Sequence, residues 1–146
     1  MQLQDAIIKP KIFIGLDIHK KSWTVSIQTD LFFHRTYSMP SVAEDLFQYV
    51  EQTFPNHEVD LVYEAGCCGF SAARYFLNLG WNVLVVNPSD VKTGDKQRYQ
   101  KTDALDSKNL SNQLKAGVLK GVYIPTEEHE QFTTLARHRT QITKKL

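Results

Sequence analysis

The stretch IFIGLD, residues 12–17, is an apolar run that stops on a carboxylate. Its length and its bounding charge read as a buried strand with Asp17 at the C-terminal end. The pattern recurs at VDLVYE, residues 59–64, where a second apolar run closes on Glu64. Between the two, SWTVSIQ (22–28) alternates Trp23, Val25 and Ile27 with polar residues, the mark of a half-buried strand. Thr29 and Asp30 then read as a turn, and Leu31 to Tyr37 as a third strand. The first three strands are expected to form an antiparallel meander.

Beyond these strands, SVAE (41–44) has the form of a capping box. Val42, Leu46, Phe47, Val50 and Phe54 recur after it at helical spacing, up to Pro55 and Asn56. After Glu64, Gly66 and Gly69 suit a tight turn into a helix from Ser71 to Leu79, stopped by Gly80. NVLVV (82–86) is the next strand. Residues 88–101 are polar, basic and aperiodic, so they read as a long loop, and such loops in compact domains are usually functional. Thr102 can cap a helix from Asp103 to Ala116, closed by Gly117. Val122 to Ile124 suggests one more short strand, and Glu127 to Leu146 a last helix.

This order predicts an α/β domain: a mixed sheet with helices on both faces, plus a C-terminal helix. It suits the RNase H-like fold, and equally the actin-like ATPase domains. Phe132, Leu135, Arg139, Ile142 and Leu146 alternate spacings of three and four, a coiled-coil-like seam of about two heptads. Residues 1–126 are therefore expected to be one catalytic domain. Residues 127–146 would begin a coiled-coil-like helix continuing into a longer protein.

With 146 residues the chain is long enough to bury a core. The formal net charge of +1 does not announce a nucleic-acid binder. The distribution says more: Lys92, Lys96, Arg98 and Lys101 cluster against Asp95 alone, and a near-neutral total can hide a basic face. Tyr99, within that cluster, can stack on a base. Arg137, His138 and Arg139 suit a nucleic acid, a partner helix or simple solvation. His19 and Lys20 fit a surface turn better than a phosphate contact. Cys67 and Cys68 are adjacent, a poor staple, with no further cysteine to complete a zinc site. No apolar run of membrane-spanning length and no signal core occurs, which makes the cytoplasm the default expectation. Neither a Gly-x-Gly-x-x-Gly fingerprint nor a Walker lysine is present.

The carboxylates carry the chemistry. If the strands of Asp17 and Glu64 are neighbours, both acids project from one sheet edge. Asp103 and Asp106, three apart at a helix start, share a face with Leu110 and Leu114, so they continue the stripe expected to meet the core. Each acid alone has a plainer role as a turn or dipole residue. Gathered together they would repel and lose solvation, a cost that Mg2+ or Mn2+ offsets through oxygen coordination. Two such ions can activate an attacking oxygen and stabilise a leaving one at phosphorus.

Five segments then point one way: IGLDIHK (14–20), YEAGCCGF (63–70), VVNPSDV (85–91), KTDALDS (101–107) and LKAGVLKGVYIP (114–125). In order and approximate spacing they resemble the N-terminal domain of the DEDD transposases of the IS-one-ten (IS110) insertion-sequence family, which includes the pilin-gene invertases. The resemblance implies a RuvC-like RNase H fold whose acidic tetrad binds magnesium, with Asp17 as the first Asp, Glu64 as the Glu, and Asp103 and Asp106 as the last two. It also implies DNA transposition or site-specific recombination, in some members guided by a structured RNA. It implies too a second domain with a nucleophilic Ser, which is expected to lie outside these 146 residues. A homo-oligomer, dimer or tetramer, is expected because recombination holds several DNA strands at once. Ser107 stands where the family pattern usually has Ala, and the Cys67–Cys68 pair departs from the commoner small-residue loop. Three rivals compete: a free-standing Holliday-junction resolvase, an actin-like ATPase lobe, and a non-catalytic nucleic-acid-binding module whose acids are caps.

Overall fold

The computed structural model describes residues 9–66, 69–87 and 103–125, the side chains of 103–106 excepted. Its elements are β1 (Lys11–Ile18), β2 (Ser22–Thr29), β3 (Phe33–Pro40), α1 (Ala43–Thr53), β4 (Glu58–Glu64), α2 (Ser71–Asn78), β5 (Asn82–Val86) and α3 (Asp103–Ala116). The five strands form one sheet in the order β3-β2-β1-β4-β5. The meander is antiparallel, whereas β4 pairs with β1 and β5 with β4 in parallel. The α/β class, the mixed sheet and the helices on both its faces agree with the expected architecture, which is consistent with an RNase H-like fold.

Strand alternation divides the sheet into two unlike faces. Ile12, Ile14 and Leu16 of β1 face the larger core with Val25, Ile27, Leu61 and Tyr63. That core is closed by Leu46 and Val50 of α1 and by Ala73 and Phe76 of α2, Phe76 stacking on Trp81 at 4.8 Å between ring centroids. The opposite face is covered by α3, where Leu110 packs with Val62 and Val86.

Several local expectations need correction. Ser41 does not cap α1, because its hydroxyl donates to Lys20 O at 2.9 Å. The cap position is Val42, without a side-chain bond, and the helix starts at Ala43. The third strand begins two residues late because Thr29 organises the turn: its Oγ1 accepts from the Leu31 and Phe32 amides, both at 3.1 Å. Residues 122–124 form no strand. Bracketed by Gly121 and Pro125, they make one backbone bond to the sheet edge, from Val122 N to Val85 O at 2.7 Å. The strand β2 is not half-buried, since residues 23–28 are all buried, the polar ones beneath α3. The helix α3 runs as expected and ends at Gly117, whose φ of 74° closes it with bonds from Gly117 N to Leu114 O and Val118 N to Gln113 O. The expected loop at 88–101 and helix at 127–146 lie outside the described residues.

Beside α1, the His34 ring packs edge-on against Phe54 at 4.9 Å and its Nε2 lies 2.8 Å from Tyr49 Oη. Burial, and then the charge of Arg35, lower the His34 pKa from its ordinary 6.5. A folded-state value below the unfolded one means that the unfolded chain binds more protons as pH falls through 6.5, so folding weakens there. Thermal unfolding should show a falling melting temperature over that window, with a shallower slope in His34→Gln. Equal slopes in the two proteins would contradict this account.

Candidate active site

The register of β1 on β4 pairs Lys11 with Glu58 and runs to Leu16 with Tyr63. One residue further along each strand come Asp17 and Glu64. Parallel pairing therefore brings both acids to the same end of adjacent strands. Alternation sets both on the face that α3 covers, since Gly15 meets α3 and Val62 packs on Leu110. The Asp17 side chain is only 16% exposed, and its Oδ1 lies 3.4 Å from His19 Nε2. His19 itself is exposed in a turn, its amide bonded to Ser22 O at 3.0 Å, as the sequence suggested. Glu64 is half-buried and its strand pairs with Val86 of β5.

The opposite end of the same two strands shows what an acid pair with a purely structural task looks like. There Lys11 Nζ reaches Glu58 at 3.0 Å and Asp60 at 3.2 Å, and Asn82 Nδ2 donates to Asp60 at 2.8 Å. The hydrogen bonds that Lys11 donates to Glu58 and then to Asp60 raise its pKa above the ordinary value.

The direction of α3 matters for the other two acids. Ser107 Oγ is 2.7 Å from Ser26 Oγ, and Ser26 faces Gly15 across the ladder. Gln28, which faces Phe13, donates to Ser111 Oγ at 2.8 Å and Asn112 Oδ1 at 2.7 Å. Lys115 Nζ reaches Asp30 O at 3.0 Å. The helix thus runs antiparallel to β1 and starts from the Asp17 end. One turn separates Asp103 from Ser107, about 6 Å of helical rise. Two residues separate Gly15 from Asp17, about 6.6 Å of strand. The backbone of the first turn of α3, which includes Asp103 and Asp106, therefore begins level with Asp17.

Gly15 permits this seating. A Cβ there would collide with Ser107 O and would stand 2.7 Å from Ser111 N and 3.1 Å from Leu110 Cβ. The helix backbone rests directly on the strand, two residues before Asp17. At the end of β4, Gly69 takes φ 62° and its amide donates to Gly66 O at 3.2 Å, the tight turn expected there.

The side chains of Asp103 and Asp106, and all of Lys92, Lys96, Arg98, Tyr99, Lys101, Cys67 and Cys68, lie outside the described residues. Among the described residues no three His, Cys, Asp or Glu side chains gather as a metal-holding group. Among them, too, no helix is long and apolar enough to cross a membrane. What the sequence reading missed is the polar layer under α3: Ser26, Gln28, Ser107, Ser111 and Asn112. Its signal was present as polar residues at alternate positions of β2 and serines one turn apart on α3.

Comparison with known proteins adds to this geometry. A family model for DEDD transposases of the IS110 type, described as transposase, matches residues 14–146. A putative transposase, y4qE, of Sinorhizobium fredii (strain NBRC 101917 / NGR234) is 37% identical over 86 residues, covering 58% of this chain and 21% of that protein. The transposase for insertion sequence element IS1533 of Leptospira borgpetersenii is 24% identical over 146 residues, covering 92% of this chain and 40% of that protein. The chain thus spans well under half the length of either relative.

Proposed function

Because the chain belongs to the IS110 family of DEDD transposases, we propose that it is the metal-dependent catalytic domain of a DNA transposase or site-specific recombinase. The observation that supports this reading best is the pairing of Asp17 and Glu64 at adjacent parallel strand ends, on the face over which α3 starts at Asp103. The donor set fits a hard divalent ion: carboxylate oxygens, some partly shielded from water, suit Mg2+ or Mn2+. In this proposal Asp17, Glu64, Asp103 and Asp106 would hold the ions. Bound there, the ions supply Lewis-acid stabilisation of charge on phosphoryl oxygens during strand cleavage and transfer.

The chain's own residues do the rest. The strand ends fix two carboxylates on a rigid sheet, and α3 brings two more from a separate element. Lys92, Lys96, Arg98 and Lys101 neutralise backbone phosphates of the DNA, with Tyr99 stacking on a base. A structured guide RNA and assembly as a dimer or tetramer belong to the same proposal.

Thermal unfolding of the chain in millimolar Mg2+ or Mn2+ tests the metal site directly. An ion that binds only the folded state raises the melting temperature. The expected result is a rise with either ion. No rise, with and without a DNA duplex present, would sink the proposal.

A further inference from the structure

The layer between α3 and the sheet is unusual in being polar where helix-on-sheet contacts are normally apolar. Ser107 and Ser111 are fully buried, as is Ser26, and Gln28 is 6% exposed. Leu110 is the one fully buried apolar side chain that α3 contributes among the described residues. Three polar pairs span the layer: Ser26 with Ser107 at 2.7 Å, Gln28 with Ser111 at 2.8 Å and Gln28 with Asn112 at 2.7 Å. Ser26 is also 2.7 Å from Thr36 of β3, which ties the pair into the edge of the sheet.

Apolar contacts tolerate axial sliding, because one methyl group substitutes for another. Hydrogen-bonded pairs do not. Shifting the register of α3 by one residue, about 1.5 Å of rise with the accompanying turn, would put Asp106 or Lys108 where Ser107 stands against Ser26 and leave buried polar groups unmatched. Gly15 adds a second constraint, since the helix backbone can rest only where no Cβ stands. The pairs lie on the side of the helix that follows Asp103 and Asp106, at the levels of Gly15 and Phe13. We propose that Ser26, Ser107 and Gln28 are positioning residues that lock the axial register of α3 on the sheet, and thereby hold the helix-borne acids at the level of Asp17 for metal binding. This rests on the metal-site reading given above.

The test is Mn2+ affinity, measured by calorimetry or by the loss of the free-ion electron paramagnetic resonance signal, beside the metal-free melting temperature. The proteins are the full 146-residue chain and its variants Ser26→Ala, Ser107→Ala, the double Ser26→Ala/Ser107→Ala, and Gln28→Met. Gln28→Met orphans no buried partner, because Ser111 Oγ still donates to Lys108 O at 2.9 Å. It therefore keeps the proposal open to refutation should a serine variant fail to fold. Each variant is expected to weaken Mn2+ binding about tenfold, the low end for groups that orient ligands without touching the ion. The double variant should be no weaker than either single, since both lose the same pair. Val50→Ala, in the core on the other face, should lower the melting temperature and leave Mn2+ affinity unchanged. Folded serine and Gln28 variants that bind Mn2+ within about twofold of the wild type would overturn the register lock alone. A wild-type chain that binds no Mn2+ would overturn both it and the metal site.

Discussion

Gly15→Ala is expected to be the most damaging single-methyl substitution among the described glycines. The added Cβ meets backbone atoms, Ser107 O and Ser111 N, and backbone of a hydrogen-bonded helix cannot swing aside. The helix must lift from the sheet, which disturbs the Ser26–Ser107 pair and the Leu110 contact with Val62 and Val86 at once. Overpacking of this kind costs about 1–3 kcal/mol, and occasionally more. At about 2–4 °C per kcal/mol for a chain of roughly this size, the melting temperature should fall by several degrees. Gly121→Ala supplies the contrast. Its Cβ would also collide, but with Leu84 Cδ1, the far end of a flexible side chain that can rotate away. Thermal unfolding of the two variants side by side should show a large loss for Gly15→Ala and a small one for Gly121→Ala. Equal losses would mean that α3 is not seated on β1 as described.

That glycine also shows how far the sequence could be read. The apolar runs ending on Asp17 and Glu64, the meander and the helix from Asp103 to Ala116 were all legible, because hydrophobic periodicity and turn residues encode them locally. The adjacency of β1 and β4 was legible only as a condition, since strand order is a property of the whole sheet. Gly15 passed unnoticed inside IFIGLD because nothing local distinguishes a glycine that admits a helix from one that merely interrupts a strand. The polar side chains of β2 were misread for a related reason. Alternation marks Thr24, Ser26 and Gln28 as the water-facing set, and only the docking of α3, some eighty residues later, buries them. Ser41 shows the reverse error: a capping signature in the right place lost its hydroxyl to Lys20 O, a contact made by folding. For the acids, the sequence supplied residue types and the sheet supplied the juxtaposition of two of them. The family match then separates this chain from an ATPase lobe, which the strand order alone does not.

Asp17→Asn should divide stability from metal response. In the metal-free protein, neutralising one carboxylate relieves repulsion within the proposed cluster and reduces the cost of keeping a charge only 16% exposed. The contact with His19 Nε2 is weakened in exchange, but His19 is exposed, and exposed ion pairs are worth about 0–1 kcal/mol. The expected metal-free melting temperature is thus equal to or above that of the wild type. Metal reverses the ranking. A site filled at about 100 times its dissociation constant stabilises the folded state by about 2.7 kcal/mol, and the wild type should gain that amount in saturating Mn2+. The variant lacks a charged ligand on the rigid part of the site and should gain little. Unfolding curves for the two proteins, each with and without Mn2+, should therefore cross in order. Asp60→Asn, at the other end of the sheet, should keep the full metal response, because Asp60 is held by Lys11 and Asn82. If Asp17→Asn gains as much from Mn2+ as the wild type, Asp17 is no ligand, and its carboxylate serves only to end the strand. If Asp60→Asn loses the response as well, the ion is answering to general acidity of the sheet, with no site at the strand ends.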